Sequence, residues 1–147
     1  MTEAEYERFH ARLIPEYAAE HVRSGRWSPE ESLEASRREV ERLLPQGPAT
    51  PNEHFLTLVA GTPEQSVGHI WLHLQEKNGF IYDLLIDEAH RRQGFARDGL
   101  RALEAYARER GAARLALHVF AHNEVARGLY RGLGYQERDI VLAKDLL

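Results

Sequence analysis

Apolar side chains along residues 1–44 recur at the three- and four-residue spacing of α-helices, which predicts two surface helices. Thr2 and Glu5 fit a capping box, so the first helix is expected from about Glu3 to Ser24. Ser28, followed by a proline, fits a second start signal and predicts a helix over Pro29–Leu44. Many charged residues interrupt the apolar positions of both helices, so these helices need another layer of secondary structure to pack on.

A connector with three prolines at residues 45–51 ends the helical pattern, because proline fixes the backbone and pushes its predecessor toward extended conformations. The connector belongs within one domain, since the helices before it lack a core of their own. Alternating patterns then predict three strands, and their short connections indicate antiparallel neighbours. The expected strands are His54–Ala60, Val67–Leu74 and Phe80–Ile86.

Helices and strands alternate in the second half of the chain. The pattern predicts a helix over Arg97–Arg110, a strand over Leu115–Phe120, a helix over Glu124–Leu133 and a last strand over Tyr135–Ala143. Together with the first half, this order indicates a mixed α/β fold with helices on both faces of a central sheet. We expect residues 1–147 to form a single domain.

Composition excludes several classes of protein. The 147 residues carry 19 Lys and Arg against 23 Asp and Glu, a formal charge of −4 that disfavours nucleic acid as a partner. The absence of cysteine excludes disulfides, thiolate metal sites and a cysteine nucleophile. No apolar run approaches the ~20 residues that span a bilayer, so we expect a soluble, cytoplasmic protein with no membrane partner and no metal.

A strand that runs through a basic loop into a helix is the first candidate site. Such a junction directs several backbone N–H groups and the positive end of a helix dipole at one point in solvent, which suits an anion. A solvated basic turn that caps a helix is the structural alternative. The strand end is Leu84, Leu85 and Ile86, and the loop is Arg91, Arg92, Gln93, Gly94, Phe95 and Ala96.

A second group of polar side chains follows the predicted strand at Leu115–Phe120. It comprises His118, Asn123, Arg127 and Tyr130. Taken singly, Asn123 is most simply a helix N-cap, Tyr130 a packed aromatic and His118 a half-buried strand histidine.

The two stretches together resemble the GNAT acyltransferase superfamily. The resemblance rests on Arg-x-x-Gly-x-Ala at residues 91–96 and Asn-x-x-Ala-x-x-Leu-Tyr-x-x-x-Gly-Tyr at residues 123–135, and it extends from about Phe55 to Ala143. It implies the GNAT fold, a mostly antiparallel mixed sheet whose one parallel strand pair splays apart to hold acetyl-CoA as co-substrate. Residues 52–147 would then form the sheet and the acetyl-CoA site, and residues 1–44 a wall of the acceptor site.

The resemblance also implies roles for individual residues. The backbone of Leu84–Ile86 would bind the pantetheine arm and supply an oxyanion donor, and the loop over residues 91–96 would bind the pyrophosphate. Asn123 and Arg127 would contact the CoA, and Tyr130 would lie against the thioester sulfur and protonate the leaving thiolate. Reference pKa values of about 8.5 for a thiol and about 10 for a phenol are close enough for that transfer.

The sequence does not decide which group acts as the general base. His118 stands where the family's N-terminal acetyltransferases carry a glutamate, and imidazole is a plausible replacement. Asp83, His69 and a water molecule are alternatives, although Asp83 alternates to the wrong face unless a β-bulge turns it. His69, Trp71 and His73 share one strand face that could line the acceptor pocket.

The resemblance therefore predicts an N-acetyltransferase that moves an acetyl group from acetyl-CoA to a primary amine by direct attack, through a tetrahedral intermediate. The acceptor, a small molecule or a protein amine, is not specified. The alternative is a non-catalytic acyl-CoA-binding regulatory module. Family members begin with a strand, yet here Met1 leads almost directly into helix, so either the start of the chain is truncated or the sheet has lost its first strand. A sheet edge left open in this way could be covered by a partner chain in a homodimer.

Overall fold

The computed structural model describes residues 1–146 as four helices and a four-stranded sheet. Two short 3₁₀ turns, Gly47–Ala49 and Glu88–His90, lie in the connections. No helix in the described range is long and apolar enough to cross a membrane. In chain order the elements are α1 (Glu3–Arg23), α2 (Ser32–Leu43), β1 (Glu53–Ala60), β2 (Gln65–Gln75), β3 (Asn78–Ile86), α3 (Phe95–Glu109), β4 (Arg114–Leu117) and α4 (Glu124–Gly132).

The start of α1 is the predicted capping box. Thr2 Oγ1 accepts a hydrogen bond from the Glu5 backbone N–H at 3.2 Å, and a Glu5 carboxylate oxygen accepts one from the Thr2 N–H at 2.6 Å. The start predicted for α2 is wrong by three residues. Residues 29–31 form a turn, and the Ser28 N–H reaches Glu31 at 3.5 Å without a return bond from the serine side chain, so the helix begins only at Ser32.

The strands lie in the order β1-β2-β3-β4. The β1–β2 and β2–β3 pairs are antiparallel, as their short connections predict, and β3 pairs with β4 in parallel. The register of β2 on β3 shifts by one residue, because Trp71 pairs with Asp83 while Leu72 pairs with Ile81. Tyr82 is thus the extra residue of a β-bulge in β3.

Two apolar clusters hold helices on opposite faces of the sheet, which confirms the expected mixed α/β fold. On one face, α1 and α2 pack on β2 through Trp71, and on the other α3 packs through Ile70 and Leu72. The alternation along β2 therefore sends successive side chains into different layers. The first cluster is Tyr6, Phe9, Leu13, Val40, Leu44 and Trp71, and the second is Ile70, Leu72, Ile81, Leu100, Leu103 and Ala107.

The C-terminal half departs from the sequence prediction in two places. β4 ends at Leu117 and not at Phe120, because it stops pairing with β3 at that point. The last predicted strand, Tyr135–Ala143, forms no strand, since a strand requires a hydrogen-bonded neighbour and this segment has none within the described chain.

The other edge of the sheet is β1, and no described strand precedes α1. Part of this edge lies against the start of the chain. The Met1 ammonium donates a hydrogen bond to the Phe55 carbonyl oxygen at 3.2 Å, and Thr57 Oγ1 donates to Glu5 at 3.2 Å. The N-terminus and α1 thus contact β1 on this edge, and one main-chain carbonyl of the strand already has a hydrogen-bond donor.

Candidate active site

The parallel strand pair separates halfway along β3. Residues Asn78–Ile81 pair with Arg114–Leu117, but β3 continues to Ile86 with no partner on that side. The backbone of residues 82–86 is still held from the other side by β2, where Leu85 pairs with His69 and Ile86 with Gly68. The sheet therefore opens a slot beside the strand end, with free main-chain donors and acceptors along one wall.

The start of α3 forms one end of this slot and has no side-chain cap. The first main-chain bond of the helix runs from the Asp98 N–H to the Gly94 carbonyl, so the N–H groups of Phe95, Ala96 and Arg97 point outward without an intrahelical partner. Left-handed backbone at Arg92 (φ 62°) and Gly94 (φ 82°) curls the loop into a concave turn. This is the geometry of an anion-binding loop.

The loop's cationic side chains lie in solvent beside that turn. Arg91 and Arg92 are both exposed. Arg91 Nε donates to the Ile86 carbonyl at 3.0 Å, which ties the loop to the end of β3 and keeps the guanidinium near it. Gln93 makes only a long 3.5 Å contact with the Ala89 carbonyl. The guanidinium groups of Arg91 and Arg92 can therefore turn toward a bound anion at little conformational cost.

Tyr130 lies on α4, half-buried against the apolar cluster beneath α3. Burial raises the pKa of its phenol, and the negative charge of Asp83 raises that pKa further. The same cluster contains Ile81 of β3, the residue that precedes the bulge. A phenol in this setting stays protonated around neutral pH and can donate a hydrogen bond or a proton.

Asn123 and Arg127 both have structural partners. Asn123 caps α4, since its Oδ1 accepts from the Ala126 N–H at 3.1 Å, which is the simple structural role expected from the sequence. The Arg127 guanidinium bonds Glu124 and Glu137, each at 2.9 Å, and the Ala121 carbonyl at 3.2 Å. No described residue accepts from the amide nitrogen of Asn123, whereas Arg127 is occupied by carboxylates.

His118 is the first residue after the paired part of β4. Its exposed ring meets Phe80 edge-on with centroids 5.4 Å apart, and Phe80 in turn meets Tyr82 at 4.7 Å. No hydrogen-bonded or ionic partner holds the imidazole within residues 1–146. Its side chain therefore lies beside the opened strands, on the face that carries α1 and α2.

A cluster of three charged and polar side chains joins α1 to the sheet on that same face. Arg12 Nη2 donates to Asp83 Oδ2 at 2.9 Å and lies 2.7 Å from His69 Nε2, which is itself 3.0 Å from the same carboxylate oxygen. The bulge at Tyr82 brings Asp83 to this face, the condition under which it becomes a candidate base. No local pattern indicates this role for Arg12, because a residue on a helix surface carries no sign of a contact 71 positions away.

A cavity of about 270 Å³ lies between α1 and the ends of β2 and β3. Its walls include Arg12 and His69 from the cluster just described, together with Leu85 and Asp87 from the strand end. The two other candidates on the β2 face do not open into it, since Trp71 is buried and His73 bonds Glu53 at 2.8 Å. No group of three or more His, Asp or Glu side chains within residues 1–146 is arranged to hold a metal ion.

A second cleft, of about 280 Å³, lies between the end of α1 and the start of α4. Glu20 and Arg23 line it from α1, and His122 and Asn123 line it from the loop before α4. His122 Nε2 and Glu20 Oε2 are 2.8 Å apart across this cleft. The first helix thus borders both openings near the slot.

Known acetyltransferases are similar to this chain in sequence. The family model for the acetyltransferase (GNAT) family matches residues 16–135. YycN of Bacillus subtilis, named an uncharacterized N-acetyltransferase, is 40% identical over 134 residues, covering 88% of this chain and 85% of its own. YdgE of the same organism, named in the same way, is 38% identical and covers 99% of this chain and 95% of its own.

Solved structures extend the likeness. The crystal structure of YycN superposes with a TM-score of 0.95 at 38% identity, covering 100% of this chain and 96% of that one. An acetyltransferase structure from Pyrococcus furiosus matches at a TM-score of 0.67 and 24% identity over 95% of both chains, which supports the fold alone. The splayed strands, the uncapped start of α3 and the matching family model agree, and the chain belongs to the GNAT acetyltransferase family.

Proposed function

We propose that this protein transfers an acetyl group from acetyl-CoA to a primary amine. The observation that carries the proposal is the slot beside residues 82–86, with an uncapped helix start at one end and the half-buried Tyr130 packed on the cluster that contains Ile81 of β3. The slot would hold the extended arm of acetyl-CoA, the helix start its diphosphate, and Tyr130 would lie at its thioester.

The residues present fit acetyl-CoA by their chemistry. The free N–H groups at the start of α3, the backbone of Arg92 to Ala96 and the side chains of Arg91 and Arg92 would hold the diphosphate. The main chain of Leu84–Ile86 would pair with the amide-bearing arm as an added strand does. The Asn123 amide nitrogen would donate to the same arm, and Arg127 would reach the CoA only by leaving its carboxylate partners.

The chain's own groups account for the chemistry of transfer. The thioester supplies the acetyl group, and a neutral amine attacks its carbonyl carbon while the N–H of Leu85 or Ile86 stabilises the developing oxyanion. Tyr130 gives its proton to the departing sulfur as the carbon–sulfur bond breaks, and the phenolate regains a proton from the nitrogen of the new amide. Direct attack is the simplest route, since the chain has no cysteine to carry an acyl group.

His118 is the proposed general base. A primary amine is mostly protonated at neutral pH, so a group beside the slot must accept a proton before attack. Asp83 and His69 are both engaged with Arg12, whereas the imidazole of His118 has no hydrogen-bond or ionic partner among the described residues. The free imidazole is therefore the better acceptor.

The acceptor amine is proposed to approach over the α1–α2 face, with residues 1–44 as one wall. The cavity of about 270 Å³ there carries the carboxylates of Glu5 and Asp87, which favour a cationic amine, beside Arg8 and Arg12, which favour an anionic group. An acceptor that carries both a cationic amine and an anionic group, whether a small molecule or a protein, would match this cavity.

Release of free CoA thiol, measured with a panel of amines, tests the activity directly. Tyr130→Phe should keep acetyl-CoA affinity and lower kcat about tenfold or more, because a positioned general acid contributes on the order of 10²–10⁴ and water replaces it only in part. Tyr106→Phe is the matched control, since that hydroxyl bonds His54 at 2.8 Å on the far side of α3.

Two outcomes would contradict the proposal. Unchanged turnover in Tyr130→Phe would remove the phenol from the reaction. Tight acetyl-CoA binding without thiol release for any amine in the panel would instead indicate a non-catalytic acyl-CoA-binding module.

A further inference from the structure

Helix α1 carries two arginines on the flank that lines the cavity of about 270 Å³. The helix crosses from β2 to β3 beside this cavity, since the Phe9 ring meets His69 of β2 with centroids 5.1 Å apart and Arg12 bonds Asp83 of β3 at 2.9 Å. Arg8 is next to Phe9 in sequence and one helical turn before Arg12. Arg8 therefore lies on the β2 side of the cavity, farther from the slot than Arg12.

Two charged side chains in the wall of the cavity have no hydrogen-bonded or ionic partner among residues 1–146. They are the guanidinium of Arg8 and the carboxylate of Asp87, which leaves the 3₁₀ turn that follows it uncapped. The other charges there are already engaged, because Arg12 bonds Asp83 and Glu5 accepts from two threonines. A bound molecule would thus meet one free positive and one free negative charge.

Asp87 is held on the side of β3 that faces away from the slot. Its N–H donates to the Val67 carbonyl of β2 at 2.9 Å, whereas the slot opens on the opposite side of β3, where β4 separates from it. Leu85 lines the cavity and also belongs to the strand segment that borders the slot. A group bound at Asp87 is therefore separated from the slot by about one strand spacing, roughly 5 Å.

An ammonium group at Asp87 consequently lies too far from the slot to be the amine that reacts. A second amine, on a short aliphatic chain, would span the remaining distance over Leu85. The volume of the cavity is below the roughly 300–1,000 Å³ of sites for drug-sized ligands, so it suits a molecule about the size of one amino acid.

We propose that the acceptor is a free diamino acid, with its α-carboxylate on Arg8, its α-ammonium on Asp87 and its side-chain amine directed over Leu85 to the thioester. This assignment rests on the proposed acetyl transfer. The side-chain nitrogen forms the new carbon–nitrogen bond as the carbon–sulfur bond breaks, so an acceptor that binds as the ammonium form yields the side-chain amide, free CoA thiol and one proton. The α-amine is unchanged.

Three acceptors that differ by one group test the assignment in the thiol-release assay. Cadaverine is L-lysine without its carboxylate, and 6-aminohexanoate is L-lysine without its α-amine. The kcat/KM for L-lysine should exceed that for either analogue at least about tenfold, because each analogue lacks one hydrogen-bonded charge. Mass spectrometry of the product should locate the acetyl group on the side-chain nitrogen. Equal kcat/KM for all three acceptors, or acetylation of the α-nitrogen, would overturn the proposal.

Variants at the two free charges should change the preference and not only the rate. Arg8→Met should lower the ratio of kcat/KM for L-lysine to that for cadaverine about tenfold, mainly through KM. Asp87→Asn should lower the ratio for L-lysine to 6-aminohexanoate in the same way. Arg101→Met, at an exposed position on α3 across the sheet, is the matched control and should retain both ratios. Ratios that stay unchanged in Arg8→Met and Asp87→Asn would also overturn the site.

Calorimetric titration of L-lysine into the protein saturated with CoA separates this site from the activity. Binding that is weakened in Arg8→Met, without thiol release for any amine, would support the site and contradict the proposed transfer. Thiol release with other amines, but no preferential binding or turnover of L-lysine, would contradict the site and leave the transfer standing. Faster turnover of a lysine blocked at both α-groups would indicate a protein acceptor and would equally overturn the proposal.

Discussion

Asp83 lies beside Arg12 and His69 because β3 contains one extra residue. Without the bulge at Tyr82, strict alternation would turn this carboxylate to the opposite face from Phe80. With it, the carboxylate engages the guanidinium of Arg12 at 2.9 Å and raises the pKa of Tyr130. One inserted residue thereby brings the carboxylate of Asp83 to the face that carries α1, within reach of Arg12.

The proposed role of His118 has a pH signature. His118→Ala should lower kcat/KM by roughly tenfold to a hundredfold near neutral pH, and less as pH rises, because the amine then loses its proton unaided. The profile is measured with one acceptor amine at saturating acetyl-CoA. His118→Gln is the control, since it retains a side chain against Phe80. A loss that is independent of pH, or absent in the glutamine variant, would indicate packing instead.

At the scale of the elements, local signals located most helices and strands. The capping box at Thr2 fixes the start of α1 as predicted, and the sequence patterns place β1, β2 and β3 within a few residues of their observed limits. β4 is shorter than its apolar pattern suggests. Its length is set by where it diverges from β3, which no local propensity encodes.

Close contact between β2 and β3 supports the strand that forms the wall of the slot. A side chain at buried Gly68 would overlap the Leu85 carbonyl oxygen, a backbone atom that cannot move aside without shifting β3. Gly68→Ala should therefore lower the free energy of unfolding by about 1–3 kcal/mol, and reduce kcat as the proposed oxyanion donor moves. Urea denaturation measures the first effect and thiol release the second.

Gly128→Ala is the matched control for this crowding. It lies inside α4 with no atom within 4 Å of the added methyl, so alanine should stabilise the protein by up to about 1 kcal/mol through its higher helix propensity. Unchanged stability in Gly68→Ala would show that β2 and β3 can separate at no cost.

At the scale of the whole molecule, ligand binding and stability are linked. Acetyl-CoA at a hundredfold excess over its Kd should stabilise the folded protein by about 2.7 kcal/mol, seen as a higher Tm. The double variant Arg91→Ala with Arg92→Ala should lower the ligand-free Tm only slightly, because both side chains are exposed and only the Arg91–Ile86 hydrogen bond is lost, and it should lose at least about tenfold in affinity.

Exposed arginines elsewhere on α3 provide the control for that experiment. Arg101→Ala with Arg108→Ala removes the same charge from a helix surface away from the loop, and should leave the acetyl-CoA shift intact. Equal losses in both double variants would indicate a general charge effect and would argue against the loop as the diphosphate site.

The sequence by itself determined the mixed α/β fold, the basic loop before α3 and the motif residues Asn123 and Tyr130, because caps, alternation and short motifs are local. It also contained the apolar run at Ile140–Leu142, read as a strand of the same chain. Only the tertiary structure decided the bulge that turns Asp83, the contact with Arg12, and the absence of a paired strand beside residues 135–146 in the described chain. These depend on register and on which chain segments meet in space, and hydrogen bonds between distant residues leave no periodic trace in the sequence.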